Sequence, residues 1–188
     1  MYNLTKILQY GLLSRKVLDG YGNYQYFDKD RADNFLNGVC LSVSFPNSKM
    51  FYTYRKKYPQ INWVVLAISS KVLYEKNCLF FPSNAACGFY RQYEQTVFES
   101  HEIFAAMFAD EVYSKKGILL RRINLSAHHP TDVQAEVICL EGIEPDYVKF
   151  CVFDNMDHMH RFQSNYYALN CILANQDFDF FNQRIVGE

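Results

Sequence analysis

Residues 132–140, DVQAEVICL, set one carboxylate inside an apolar run, and the fold turns on how that run is read. Ala135 and Val137 flank Glu136, and Ile138, Cys139 and Leu140 follow. Apolar and β-branched residues fit a pleated surface, so the run predicts a buried or half-buried strand. Strand alternation then puts Gln134, Glu136 and Ile138 on one face and Ala135, Val137 and Cys139 on the other. An ionised carboxylate beside a core needs hydrogen-bonding partners or water from a cleft. Two placements meet that need: Glu136 facing solvent, or Glu136 lining a functional cleft.

Other elements are read outward from this strand. Residues 3–11 predict a helix, with Asn3 as its cap, Leu4, Ile7 and Leu8 on one face and Gly11 as its stop. Residues 14–37 are polar, rich in Tyr, Asp and Gly, and read as a long loop with one helical turn around 29–35. Residues 39–45 predict a strand, and Pro46 suits the first turn of the helix that carries Met50, Phe51 and Tyr54. Strands are further expected at 61–68, 78–81 and 147–153, with a loop at 84–94. Ser100 caps a helix expected to run to about residue 116, with Gly117 as its stop. The aromatic tail from Arg161 predicts a helix and a short terminal strand. Short strands among helices of uneven length indicate an α+β domain rather than a regular βαβ array. At 188 residues, the whole of 1–188 is expected to form one domain.

Composition narrows the classes of function. Nearly half the residues are hydrophobic, with 16 Phe and 15 Tyr against one Trp, so a packed interior or a stacking surface is required. A formal net charge of -1 excludes a broadly basic nucleic-acid coat but leaves room for a local basic groove. The six cysteines are scattered without a CxxC pair, which argues against both a disulfide framework and a zinc site. The pair His158 and His160 has no third ligand nearby, and no metal is expected. No apolar segment is as long as a membrane span, and no signal-peptide pattern opens the chain, so a cytoplasmic protein is expected. No glycine-rich phosphate loop is present.

Three segments, in order, resemble one family. NLTKILQYGLL (3–13) resembles the N-terminal element of the DarT-type DNA ADP-ribosyltransferases. VCLSVSFPNSKMFYTY (39–54) resembles the strand and helix of that family's NAD pocket, and QAEV (134–137) resembles the strand bearing its catalytic glutamate. DKDR (28–31) lies where the family carries its catalytic arginine. The resemblance implies an ADP-ribosyltransferase-like fold, with central split antiparallel β-sheets and flanking helices. It also implies transfer of ADP-ribose from NAD, the co-substrate, to a base in single-stranded DNA. Family members have a strand and a ribose-contacting His before the Asn-Leu helix; this sequence starts at Met1-Tyr2, so both are expected to be missing.

The same resemblance assigns roles. Glu136 stabilises the positive charge that develops on the ribose and helps deprotonate the attacking base. Arg31 pairs with the NAD diphosphate; read from its neighbours alone, it is a solvated loop charge beside Asp30 and Asp33. Asn3 contacts NAD as well as capping its helix. Ser42, Ser44 and Met50 belong to the element facing the nicotinamide side, though the serines equally suit an internal hydrogen-bond network. Arg121 and Arg122 open the loop before Glu136, which in such enzymes presents the acceptor, making His128 and His129 DNA contacts; simple exposure explains those residues equally well. The segment VCLSVSFPN is closer to the guanine-modifying branch than to the thymine branch. A toxin neutralised by a macrodomain antitoxin is implied. The rival readings are a transferase acting on RNA or protein, and a catalytically silent NAD-binding or nucleic-acid-binding module.

Overall fold

The computed structural model describes residues 2–22, 24–27, 31–166, 169–175 and 179–184. Its strands are β1 (Val39–Ser42), β2 (Val64–Ile68), β3 (Cys78–Phe81), β4 (Glu111–Tyr113), β5 (Leu119–Arg121), β6 (Glu136–Cys139), β7 (Val148–Phe153) and β8 (Asn170–Leu173). The helices are α1 (Tyr2–Tyr10), α2 (Arg15–Tyr21), α3 (Ser48–Lys57), α4 (Val72–Glu75), α5 (His101–Ala106) and α6 (Met156–Gln163). The strands form two three-stranded sheets, β1-β6-β3 and β2-β7-β8, and a β4-β5 hairpin. Pairing is antiparallel except between β7 and β8, which α6 connects by a crossover into a parallel pair. The α+β, split-sheet architecture is the expected one.

β6 is the central strand of its sheet, and its alternation divides the core. Val137 and Cys139 pack with Phe80, Val72 and Met107 on one face, where Ile68 of β2 also reaches them. Ile138 packs with Leu79, Phe81 and Phe98 on the other face. Val137 and Ile138 are 0 % exposed, and burying each such side chain contributes about 1.5–3 kcal/mol. Two residues before Ile138, Glu136 sits at the strand's beginning on the same face. The register of the strand is therefore enforced by its core, and that register aims the carboxylate.

Helix α1 buries Leu4 against Cys151, Phe153 and Phe162 of the second sheet region. It stops at Gly11, which takes φ +85° and donates its N–H to Ile7 O at 2.8 Å. Leu12 and Ile143 then exchange two backbone hydrogen bonds of 2.8 and 2.9 Å, tying α1 to the turn after β6.

Several expectations from the sequence are corrected. Asn3 lies within α1 and does not cap it. Helix α2 occupies part of the predicted 14–37 loop; Ser14 Oγ accepts from Val17 N and Gly22 closes the helix at φ +66°. No residue of α2 is buried, so it carries no apolar stripe to read, and only its caps signalled it. Of the predicted turn at 29–35, residues 29 and 30 lie outside the described residues, and 31–37 form turns. Pro46 stands before Asn47, which is the true cap of α3. The helix predicted to reach residue 116 ends at Ala106 instead. Thr131 N and Oγ1 donate to Met107 O (2.8 Å) and Ala109 O (2.6 Å), and Arg122 N donates to Asp110 O (2.8 Å). Those carbonyls are thus satisfied across the fold rather than along a helix. Gly117, at φ +74°, turns the β4-β5 hairpin.

At Gly11 an added Cβ would stand 2.2 Å from Ile143 O, in a backbone conformation that L side chains rarely adopt. Gly11→Ala is therefore expected to lower unfolding stability by about 1–3 kcal/mol, read as a lower urea midpoint. An unchanged midpoint contradicts this account of the α1 stop.

Candidate active site

The site is built at the mouth of the first sheet. Glu136 lies opposite Ser42 of β1 and Phe81 of β3 in the strand register. The loop after β3 folds back over the strand end, and Ala85 N donates to Glu136 Oε2 at 2.7 Å. Oε1 receives no hydrogen bond among the described residues. That loop is anchored by Ser83, whose hydroxyl donates to Asp132 Oδ2 at 2.6 Å and whose N–H donates to Tyr90 Oη at 3.0 Å. Asp132 is 1 % exposed and also accepts from Gln134 N at 2.9 Å, so one buried carboxylate ties the loop to the approach of β6. Asn84 Oδ1 accepts from Lys115 Nζ at 3.2 Å, bringing a cation of the β4-β5 turn to the same mouth.

Burial pushes the Glu136 carboxyl up to about 7, against the pull of the Ala85 N–H. Asp33 raises it further, while Arg31 and Lys115 lower it. A carboxyl that titrates near neutrality, with one oxygen fixed and the other unengaged, is equipped to take a proton or to face a growing positive charge.

Arg31 comes to this mouth from the loop before β1. Its Nε bonds Asp33 Oδ1 at 3.1 Å, and its terminal nitrogens donate to Phe35 O (2.7 Å) and Gly38 O (3.4 Å). The guanidinium is half-buried and orders residues 33–38 while lending positive charge to Glu136. Asn3 works one step behind: its Oδ1 accepts from Gln25 N at 3.2 Å and its Nδ2 donates to Gln25 O at 2.6 Å. This amide clamp pins the segment leading towards Arg31.

The β1–α3 turn holds the other predicted residues. Ser42 Oγ accepts from Asn47 N at 3.2 Å, and Asn47 Oδ1 accepts from Met50 N at 3.2 Å. Ser44 is exposed and held at φ +60°, and the Met50 side chain is exposed. Asn47 is 4 % exposed, and its Nδ2 is buried without a partner among the described residues.

The loop between β5 and β6 faces that turn. Arg121 is exposed and pairs with Glu111 at 3.1 Å. Arg122 turns inward: its terminal nitrogens donate to His129 O (2.6 Å), Ser126 O (2.7 Å) and Ala127 O (3.3 Å). His128 is exposed, and the half-buried His129 meets it edge-on and also meets the Phe45 ring at 6.0 Å. Burial, with the charges of His128, Arg184 and Arg122, holds the His129 pKa below its ordinary value. Glu136, Ser42 and Arg31 therefore share one mouth, and the loop of His128 and His129 meets the β1–α3 turn beside it. Sequence reasoning missed the site roles of Asp33, Ser83, Ala85, Asp132 and Asn47. The turn residues PSN at 82–84 were a legible loop signal, but nothing local said that this loop returns to Glu136.

The split pair of small sheets, with a half-buried glutamate starting the central strand of one, agrees with the ADP-ribosyltransferase class. The family model for the ssDNA thymidine ADP-ribosyltransferase DarT matches residues 1–173, and the chain belongs to that family. It is an NAD-dependent transferase acting on single-stranded DNA. Among curated proteins none matches the chain. Among the described residues no cluster of three or more His, Cys, Asp or Glu is placed to hold a metal, and no helix is long and apolar enough to cross a membrane.

The Glu136 pKa carries a stability consequence with a definite sign. The folded value, about 7, lies above the ordinary 4.5, so the stability contribution is complete below 4.5 and is lost as pH rises through 7. Glu136→Gln keeps an acceptor for Ala85 N without the charge. It is expected to melt higher than the parent at pH 8, by at most about 3 kcal/mol, with the difference closing by pH 4. Thermal melts across that range check it; a constant difference refutes the burial argument.

Proposed function

We propose that Glu136 is the catalytic carboxylate of this transferase, that Arg31 supports it, and that the acceptor is guanine in single-stranded DNA. The observation that carries the reading is the Ala85 N–H bond to Glu136 Oε2, which leaves Oε1 without a hydrogen bond among the described residues while the charges of Arg31 and Lys115 act on the carboxyl. The reaction breaks the nicotinamide–ribose bond, whose electron pair leaves with nicotinamide, and a base nitrogen bonds to the ribose C1′ and loses a proton. Glu136 Oε1 stabilises the charge on the ribose and receives that proton. Arg31 faces the diphosphate, with its orientation set by Phe35 O and Gly38 O.

Ser42, Ser44 and Met50 line the nicotinamide side, where the buried Nδ2 of Asn47 is a further donor. Asn3 supports NAD binding through its clamp on Gln25. Arg121, His128 and His129 contact the DNA, and Arg122 shapes the loop that presents them. The family description names thymidine, whereas residues 39–47 resemble the guanine-modifying branch, and the choice of guanine rests on that segment. The same resemblance supports a cytoplasmic toxin countered by a macrodomain antitoxin that removes ADP-ribose.

Incubation with labelled NAD and separate DNA, RNA and protein pools tests the substrate. Label is expected in single-stranded DNA, and mass spectrometry of an oligonucleotide set is expected to find it on guanine. Label confined to RNA or protein rejects the reading, and label on thymine alone rejects the base. Glu136→Ala is expected to lower transfer by about a hundred-fold or more. The parent kcat/KM should rise with pH through about 7, because the ionised carboxylate is the working form. Unchanged transfer in Glu136→Ala removes Glu136 from the catalytic role, and a parent chain that labels no pool identifies the silent module.

A further inference from the structure

Residues 179–184 lie beyond the stretch that matches the family, yet they touch both walls beside the site. On one wall, Phe180 meets Phe45 edge-on at 5.7 Å and Phe181 packs on Phe51 at 5.5 Å. Phe181 is 6 % exposed, and its carbonyl accepts from Arg55, which is also paired with Asp154 at 3.2 Å. On the other wall, the terminal nitrogens of Arg184 donate to Pro130 O at 2.7 Å and Thr131 O at 3.2 Å. Burial lowers the Arg184 pKa, and Asp132 opposes that shift. Arg122 holds the carbonyls of Ser126, Ala127 and His129 from within the loop. Two guanidinium groups thus gather five carbonyls of one irregular loop. Pro130 lacks an N–H and no strand pairing orders this stretch, so those donors set its shape together with the His129 N–H bond to Ser126 O and the Thr131 bonds to Met107 O and Ala109 O.

We infer that residues 179–184 brace the 122–131 loop against the β1–α3 turn, and that Arg184 is a positioning residue for the DNA acceptor. The inference rests on the reading that this loop presents the acceptor. Arg184 bonds the loop and makes no hydrogen bond to Glu136 or Arg31 among the described residues, so its loss falls on the DNA side of the site more than on the NAD side.

Full-length Arg184→Ala tests it by two readouts. Amide exchange across residues 126–131 needs no turnover and is expected to speed up; unchanged exchange overturns the brace. In steady-state transfer, the KM for a single-stranded oligonucleotide should rise about tenfold while the KM for NAD stays within about twofold, as loss of two charge-assisted hydrogen bonds to the loop predicts. Arg184→Lys, which keeps the charge without the fork, is expected to fall between, and it carries both readouts if the alanine variant does not fold. Equal rises in both KM values, or no rise in either, overturn the positioning role. A parent chain that transfers nothing to DNA overturns the transferase reading instead, and exchange then decides the brace alone.

Discussion

The hydrogen bond from the Ala85 N–H to Glu136 Oε2 is the constraint on which the site depends. A carboxylate at the end of a buried strand is costly to ionise, and a single backbone donor offsets part of that cost while fixing one oxygen. The donor comes from the loop after β3, the neighbour of β6 in the sheet, so strand pairing delivers it. Asp132 makes the arrangement rigid, because it holds Ser83 of the same loop and the backbone of Gln134 just before β6. A fully buried carboxylate thereby positions the half-buried carboxylate proposed as catalytic. The two acids are four residues apart and have different roles because one is fully paired and the other is not.

Around this centre, guanidinium groups do what secondary structure does elsewhere. Arg31 bonds the carbonyls of Phe35 and Gly38, Arg122 those of Ser126, Ala127 and His129, and Arg184 those of Pro130 and Thr131. Irregular backbone next to a core must still satisfy its carbonyls, and a planar fork of donors can serve several at once. The basic residues near the mouth therefore have a structural share as well as an electrostatic one. Arg121, which pairs with an exposed glutamate, and Lys115, which reaches Asn84, remain turned towards solvent.

Much of the frame was legible in the residues. The β6 strand, the strands near 39, 64, 78 and 148, and the first helix with its Gly11 stop all appear where pattern and caps put them. They share strong local signals: β-branched runs, alternation, and a glycine where the backbone needs positive φ. The errors have physical causes too. Helix α2 buries nothing, so it offers no period. The helix after Ser100 stops early because Thr131 and Arg122, more than ten residues downstream, take the carbonyls that would have accepted bonds within it.

By itself the sequence determined that Glu136 stands on a strand, which face it shares with Ile138, and which family the segments around 3, 39 and 134 resemble. The strand and its faces follow from short-range periodicity, which is written into consecutive residues, and the family from the likeness of those segments to its motifs. Only the tertiary structure decided that Ala85 caps the carboxylate, that Asp33 and Lys115 set its charge environment, that Asn3 clamps Gln25 instead of capping its helix, and that Arg122 and Arg184 hold one loop from two sides. Each of those contacts joins residues brought together by packing rather than by spacing, and no local pattern encodes which distant donor will meet a given oxygen.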